Sequence, residues 1–149
     1  MLRGLTPLSL DAKGRMAMPS RYRERLEECC AGHLIATINP DDRCLWLYPL
    51  TEWEVIEKKL IEVSSFDKKA ARYKRILMGH ATECDIDNQG RILLPPTLRQ
   101  FASLDKRIAL VGQGNKFEIW DEDTWNKNVA QWMVEEEQEP SEVLKSLAL

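Results

Sequence analysis

Two stretches of this chain align without a gap at an offset of 76 residues: LDAKGRMAMPSRYRERL (Leu10–Leu26) and IDNQGRILLPPTLRQFA (Ile86–Ala102). From Asp11 to Glu24, five of fourteen positions are identical to their counterparts, where average composition gives about one. The identities are Asp11 with Asp87, Gly14 with Gly90, Arg15 with Arg91, Pro19 with Pro95 and Arg23 with Arg99. Apolar character is kept at Leu10/Ile86, Met16/Ile92, Met18/Leu94 and Tyr22/Leu98. Downstream, CLWLYPLTEW (Cys44–Trp53) resembles KFEIWDEDTW (Lys116–Trp125), now at an offset of 72. The chain is two copies of one unit, assigned to residues 1–80 and 81–149. A unit of about 40 residues with two short hairpins cannot cover its own sheet, so each copy must be completed by the other. The expected product is a small β-barrel or sandwich with pseudo-two-fold symmetry, decorated by helices.

Each unit reads the same way. Asp-x-x-Gly-Arg is a turn signal, with glycine at the positive-φ position and aspartate bonding its own backbone. Alternating residues lead into and out of it, which predicts a β-hairpin. Proline then ends the strand, and Ser20 and Thr97 stand where N-caps of a short helix belong. Two apolar strands follow in each copy, HLIATI with CLWLYP and RIALVG with KFEIWD, joined by the turns NPDDR and QGN. A longer helix closes each unit. The first starts at Thr51, with Glu54 at capping-box spacing and a stripe of Trp53, Ile56, Leu60 and Val63. The second carries Trp125, Val129 and Trp132. A further helix, 68–78, ends at Gly79, and the tail EEEQEPSEVLKSLAL is broken by Pro140.

At 149 residues, the chain can bury a core without disulfide or metal staples. No apolar run approaches the roughly 20 residues of a membrane span. The first fifteen residues hold no signal-peptide core, so the expected compartment is the cytoplasm. Cys29, Cys30, Cys44 and Cys84 form no CxxC and are expected to be buried reduced thiols. His80 and Cys84 at i, i+4, and Cys30 near His33, leave no second dyad, so no metal site is expected.

The net charge of −3 averages over opposed segments. Residues 1–25 carry six cations against Asp11 and Glu24, a surplus of +4. From Asp121 onward, eight acids face Lys127 and Lys145, a balance of −6. That asymmetry suits a localised polyanion-binding surface.

The doubled Asp-x-x-x-Arg signature carries a resemblance, with MLRGLTPLSLDAKGR, LWLYPLTEWE, LMGHATECDIDNQGRILLPPTLRQFA and LVGQGNKFEIWDEDTW. The chain resembles the MraZ family of bacterial division and cell-wall cluster regulators, built on the SpoVT/AbrB swapped-hairpin fold. The resemblance covers essentially the whole chain. It implies an α+β fold, with two tandem AbrB-like units forming one pseudo-two-fold β-barrel with flanking helices. It also implies a cytoplasmic, nucleoid-associated transcriptional repressor that forms a ring homo-oligomer and binds repeated short boxes of double-stranded DNA. No cofactor, small-molecule substrate or membrane partner is implied.

The candidate DNA-binding residues are Arg15, Lys13, Arg3 and Arg91. Arg15 is assigned to base edges or the groove, and Lys13 and Arg3 to phosphate. Asp11 and Asp87, four residues before Arg15 and Arg91, are orienters of the guanidinium, and Gly14 and Gly90 form the turns. The first copy is the more cationic: Lys13 faces Gln89 across the alignment, and Arg21 and Arg25 face Thr97 and Phe101. It is therefore the expected DNA face, while the second mainly completes the barrel. Arg23 and Arg99 are candidates for fold-determining pairs with carboxylates. Catalysis finds no support: GQGN is a turn rather than a phosphate loop, and neither histidine has a nucleophile partner. An antitoxin is the alternative class, although such proteins typically pair one hairpin with a disordered tail.

Overall fold

The computed structural model describes residues 1–135 and 140–149. Along the first unit run β1 (Leu5–Ser9), β2 (Arg15–Ala17), α1 (Ser20–Cys30), β3 (Leu34–Ile38), β4 (Leu45–Pro49) and α2 (Leu50–Ile61). After α3 (Lys68–Gly79), the second unit repeats the pattern as β5 (Thr82–Glu83), β6 (Arg91–Leu93), α4 (Pro96–Phe101), β7 (Arg107–Gly112), β8 (Phe117–Asp121) and α5 (Glu122–Glu135). A short α6 (Glu142–Ser146) follows. The acidic residues Glu136, Glu137 and Glu139, part of the tail noted above, lie outside the described residues.

The fold is α+β, and its main sheet is antiparallel and six-stranded, in the order β1-β7-β8-β4-β3-β5. A separate ribbon pairs β2 with β6. Exchanging each strand for its counterpart in the other unit turns the order end for end, so the duplication becomes a pseudo-dyad. Its axis is fixed by register. Met16 faces its own counterpart Ile92 in the ribbon, and Trp46 faces its counterpart Glu118 in the sheet.

The strands flanking each Asp-x-x-Gly-Arg turn do not pair with one another, which corrects the local hairpin expectation. β1 pairs with β7 and β2 with β6, so both partners come from the other unit. Alternation fixes which face of a strand is buried but not which strand lies beside it. The inner residues of the ribbon, Met16 and Ile92, join Leu34, Leu45, Leu47, Leu110, Phe117 and Ile119 in one apolar core. Neither unit encloses that core alone.

Helix starts also differ from expectation. The N-caps of α1, α2 and α4 are Pro19, Pro49 and Pro95, and none makes a side-chain cap bond. Each proline has extended ψ near 140–150° and so converts strand into helix directly. Ser20, Thr97 and Thr51 therefore fall within the first turn. Asp67, by contrast, caps α3 by accepting from the Ala70 amide at 3.0 Å. In the closing helices, Trp53 is buried on Tyr48, and Trp125 and Trp132 meet Trp120 edge-on. Cys44 and Cys84 are buried thiols as expected, whereas Cys29 is exposed at the end of α1 and Cys30 half-buried. No helix among the described residues is long and apolar enough to cross a membrane.

Candidate nucleic-acid interface

With Met16 and Ile92 turned inward, Arg15, Ala17, Arg91 and Leu93 alternate onto the outer face of the ribbon. Arg15 stands opposite Leu93 and Arg91 opposite Ala17. The two arginines are diagonal same-face neighbours, about 7–8 Å apart in such pairs. Their side chains are equally accessible, each 29% exposed. The antiparallel register sends the two turns to opposite ends of the ribbon. Backbone bonds continue it there, from the Met18 amide to the Gly90 carbonyl and from the Leu94 amide to the Gly14 carbonyl.

Each turn is built around its aspartate. Asp11 Oδ1 accepts from the amides of Lys13 and Arg15, both at 2.9 Å, and Oδ2 accepts from Arg15 Nε at 2.7 Å. The Arg15 amide is the largest influence holding the Asp11 carboxyl down at about 2, so it is ionised at neutral pH. Asp87 accepts from the amides of Gln89 and Arg91 at 2.8 and 2.9 Å, and the Arg91 amide lowers its pKa likewise. The Arg91 side chain is held less firmly: its Nε lies 3.5 Å from Asp87 Oδ2 and makes no hydrogen bond among the described residues. One guanidinium is locked and its counterpart is looser.

Gly14 and Gly90 have φ of +86° and +76°, so glycine suits both backbones. Space demands it as well. A Cβ at Gly14 would stand 2.5 Å from Arg99 Nε, and one at Gly90 would stand 2.5 Å from an Arg23 terminal nitrogen. The helix arginine of each unit thus lies across the turn of the other. Arg99 is fixed there by donating from Nε to the Leu94 carbonyl at 2.9 Å. Among the described residues neither arginine forms an ion pair, so the candidate carboxylate pairing is not made there. Arg23 and Arg99 instead add positive charge beside the ribbon. The Arg/Gly identity kept in both copies was their one sequence signal.

The other candidates divide. Lys13 is exposed at the tip of the first turn, next to Arg15. Arg3 is at the opposite end of β1 from that turn, separated by a strand of about 17 Å. Its carbonyl accepts from the Tyr22 hydroxyl. Arg21 and Arg25 are spent on the same terminal segment, donating to Thr6 Oγ1 and to the Met1 carbonyl. The ribbon therefore gathers Lys13, Arg15 and Arg91, with Asp11, Asp87, Gly14 and Gly90, and leaves Arg3 outside.

The metal dyads come apart. α3 ends at Gly79, so His80 and Cys84 share no helical face, and His33 Nδ1 lies 2.9 Å from Asp85. Among the described residues, no group of three or more His, Cys, Asp or Glu is placed to hold a metal ion.

Both halves match the model of the family described as "MraZ protein, putative antitoxin-like", over residues 1–76 and 77–145. The chain is 58% identical over 151 residues to the transcriptional regulator MraZ of Thioalkalivibrio sulfidiphilus, covering 100% of both. It is 52% identical to that of Halorhodospira halophila, again over 100% of both. To that of Pseudomonas aeruginosa it is 56% identical, over 85% of this chain and 83% of the relative.

Proposed function

Because the chain belongs to the MraZ family, we propose that it is a sequence-specific DNA-binding transcriptional regulator that represses the division and cell-wall gene cluster. It acts from the cytoplasm, on the nucleoid, as a ring that holds repeated short promoter boxes. The observation that carries this reading is the two-stranded ribbon presenting Arg15 and Arg91 across the pseudo-dyad. A β-ribbon fits the major groove of B-DNA, where an arginine fork can take the O6 and N7 acceptors of guanine. The Asp11 carboxylate aims Arg15 and repels phosphate, so Arg15 is the base reader and Lys13 the phosphate contact. Arg91 joins from the other half, with Arg23 and Arg99 adding field at the two turns. Arg3 is an outlying phosphate contact at the far end of β1.

The two sheets close around the shared core as a barrel, and the units divide near residue 80. A ring multiplies modest contacts, because linking several ribbons raises the effective concentration of each at its box.

The test is promoter binding over a range of salt, with a footprint upstream of the chain's own gene. Arg15→Ala is expected to cost about 1–3 kcal/mol and relax base preference, and Lys13→Ala to lower the salt slope by about 1. Unchanged affinity and slope in Arg15→Ala would remove the assigned role. A monomer at micromolar concentration would remove the ring. Co-purification with a small toxin would support the antitoxin reading instead.

A further inference from the structure

The two turns of the ribbon differ in what the rest of the fold sets beside them. At the first turn, the Leu10 amide donates to the Lys106 carbonyl at 2.8 Å, which carries the β1–β7 ladder one step further. The same bond at the second turn runs from Ile86, the counterpart of Leu10, to the Gly32 carbonyl at 3.0 Å. Lys106 and Gly32 therefore occupy equivalent places. The gapless alignment hides the match, because Leu26 to Gly32 is two residues longer than its counterpart, Ala102 to Lys106.

Beside the first turn, Lys106 and Arg99 help to line a hollow of about 390 Å³, with Asp11, Ala12 and Asp105 among its other walls. Lys106 is exposed, and among the described residues neither it nor Arg99 forms an ion pair. Asp11 is already committed to the Lys13 and Arg15 amides and to Arg15 Nε. Asp105 is the remaining opposing charge in the hollow. On its other side Lys106 borders Asp121 and Asp123, where Arg107 also stands. The second turn lacks the matching cation. Gly32 has no side chain, and the carboxylate nearest it is Glu27, whose Oε2 would lie 3.3 Å from a Cβ there. The first turn thus gathers Lys13, Arg15, Arg99 and Lys106. The second has Arg91 and Arg23, with Gln89, Gly32 and Glu27 in the remaining places.

A ribbon seated in the major groove has a sugar-phosphate wall on each side, so cations beside its turns meet backbone rather than base edges. We propose that Lys106, with Arg99, holds a DNA backbone phosphate beside the first turn, a contact for which the second turn has no equivalent. The contact rests on the DNA-binding reading above, and it brings residues of the second unit to the face formed mainly by the first. A free anion is the weaker occupant. Lys106 is exposed and Asp105 stands beside it, so nothing encloses a small ion. A phosphate carried there by the ribbon's own grip arrives at high effective concentration and needs no enclosure.

The test uses the full chain and a duplex holding one box from the footprint, titrated by fluorescence anisotropy over a range of salt. Lys106→Ala is expected to weaken binding about threefold to tenfold, alike for matched and mismatched boxes, and to lower the salt slope by about 1. Lys106→Arg should keep the wild-type slope, and Asp105→Asn should tighten binding. Both residues are exposed, so these variants should keep the wild-type unfolding midpoint. Ethylation interference should reveal a phosphate at one end of the box that wild-type chain requires and Lys106→Ala does not. Lys106→Ala with wild-type affinity and slope overturns the proposal, as does loss of a required phosphate at both ends. Wild-type chain that fails to bind duplex DNA defeats the DNA-binding reading itself. Wild-type binding that Arg15→Ala weakens and Lys106→Ala leaves intact defeats this contact alone.

Discussion

Gly14→Ala probes the crossing of the two units directly. At φ +86° an alanine suffers the left-handed penalty of about 1–2 kcal/mol. Its Cβ would also stand 2.5 Å from Arg99 Nε and 2.6 Å from Cζ, so the guanidinium must move. Moving it breaks the 2.9 Å bond to the Leu94 carbonyl, whose loss costs about 1–2 kcal/mol after partial rehydration. The sum is about 2–4 kcal/mol, measurable by urea unfolding at fixed protein concentration, since association adds to apparent stability. In an Arg99→Ala background the steric part disappears and only the backbone strain remains. The double-mutant cycle should therefore show coupling of about 1–2 kcal/mol between residues 85 positions apart. Gly90→Ala with Arg23→Ala repeats the geometry, from φ +76° and a 2.5 Å approach, but with smaller coupling, because among the described residues the Arg23 side chain makes no bond like that of Arg99. Coupling below about 0.5 kcal/mol, or a neutral Gly14→Ala, would refute the packing of each arginine on the opposite turn.

The Asp11 carboxyl, held at about 2 chiefly by the Arg15 amide, has a depressed folded pKa. Its contribution is present above the unfolded value of roughly 4 and is lost as pH falls through about 2. Asp11→Asn should flatten the acid limb of stability in that window, and parallel wild-type and variant curves would contradict the assignment. Trp132→Ala removes a ring 6.0 Å from Trp120 and 5.9 Å from Trp125. Because Trp132 is 40% exposed, the loss should be about 1–3 kcal/mol, with a changed near-ultraviolet dichroism; an unaltered spectrum would rule out the cluster. Burial pushes the Cys84 thiol up to about 11 and Cys44 higher still, while partial desolvation and the neighbouring Cys30 thiol raise Cys29, though exposed, to about 11. Thiol labelling of folded chain should be slow, reach Cys29 before Cys44 and Cys84, and quicken about tenfold per pH unit below that value. Rapid labelling of Cys44 in the folded state would contradict its burial.

The duplication made most of the fold legible. Apolar runs bounded by turn residues identified β3, β4, β7 and β8, and the identities at Asp11/Asp87 and Gly14/Gly90 marked the turns that frame the ribbon. Partner choice was not legible. Met16 and Ile92 announce a buried face, but nothing in their own stretch says that they bury it together. Arg23 and Arg99 were visible as repeated residues, yet their role depends on a glycine in the opposite copy. Pro19, Pro49 and Pro95 displaced the expected caps because a residue with fixed φ and extended ψ already makes the strand-to-helix corner. Cys29 was expected, with the other three cysteines, to be a buried reduced thiol. It lies exposed in the last turn of α1, whose buried residues are Tyr22 and Leu26.

The ribbon is symmetric in backbone and unequal in chemistry, and the two properties do different work. A pseudo-dyad through Met16 and Ile92 sets Arg15 and Arg91 at equivalent places, matching the local two-fold symmetry of a duplex backbone. Lys13 has only Gln89 as its counterpart, and Arg15 is gripped at 2.7 Å where Arg91 stands 3.5 Å from its aspartate. A ribbon made by two identical chains would read both halves of a site alike and select a palindrome. Here one half is held more closely by its aspartate and is more cationic, so on the function proposed above the preferred box would differ at its two ends and so have a direction. In the ring proposed above, that direction would repeat from subunit to subunit, which would favour boxes repeated in one orientation over inverted pairs. Gene duplication within one chain is what permits this, because the two arms of the reader can diverge while the core still requires both.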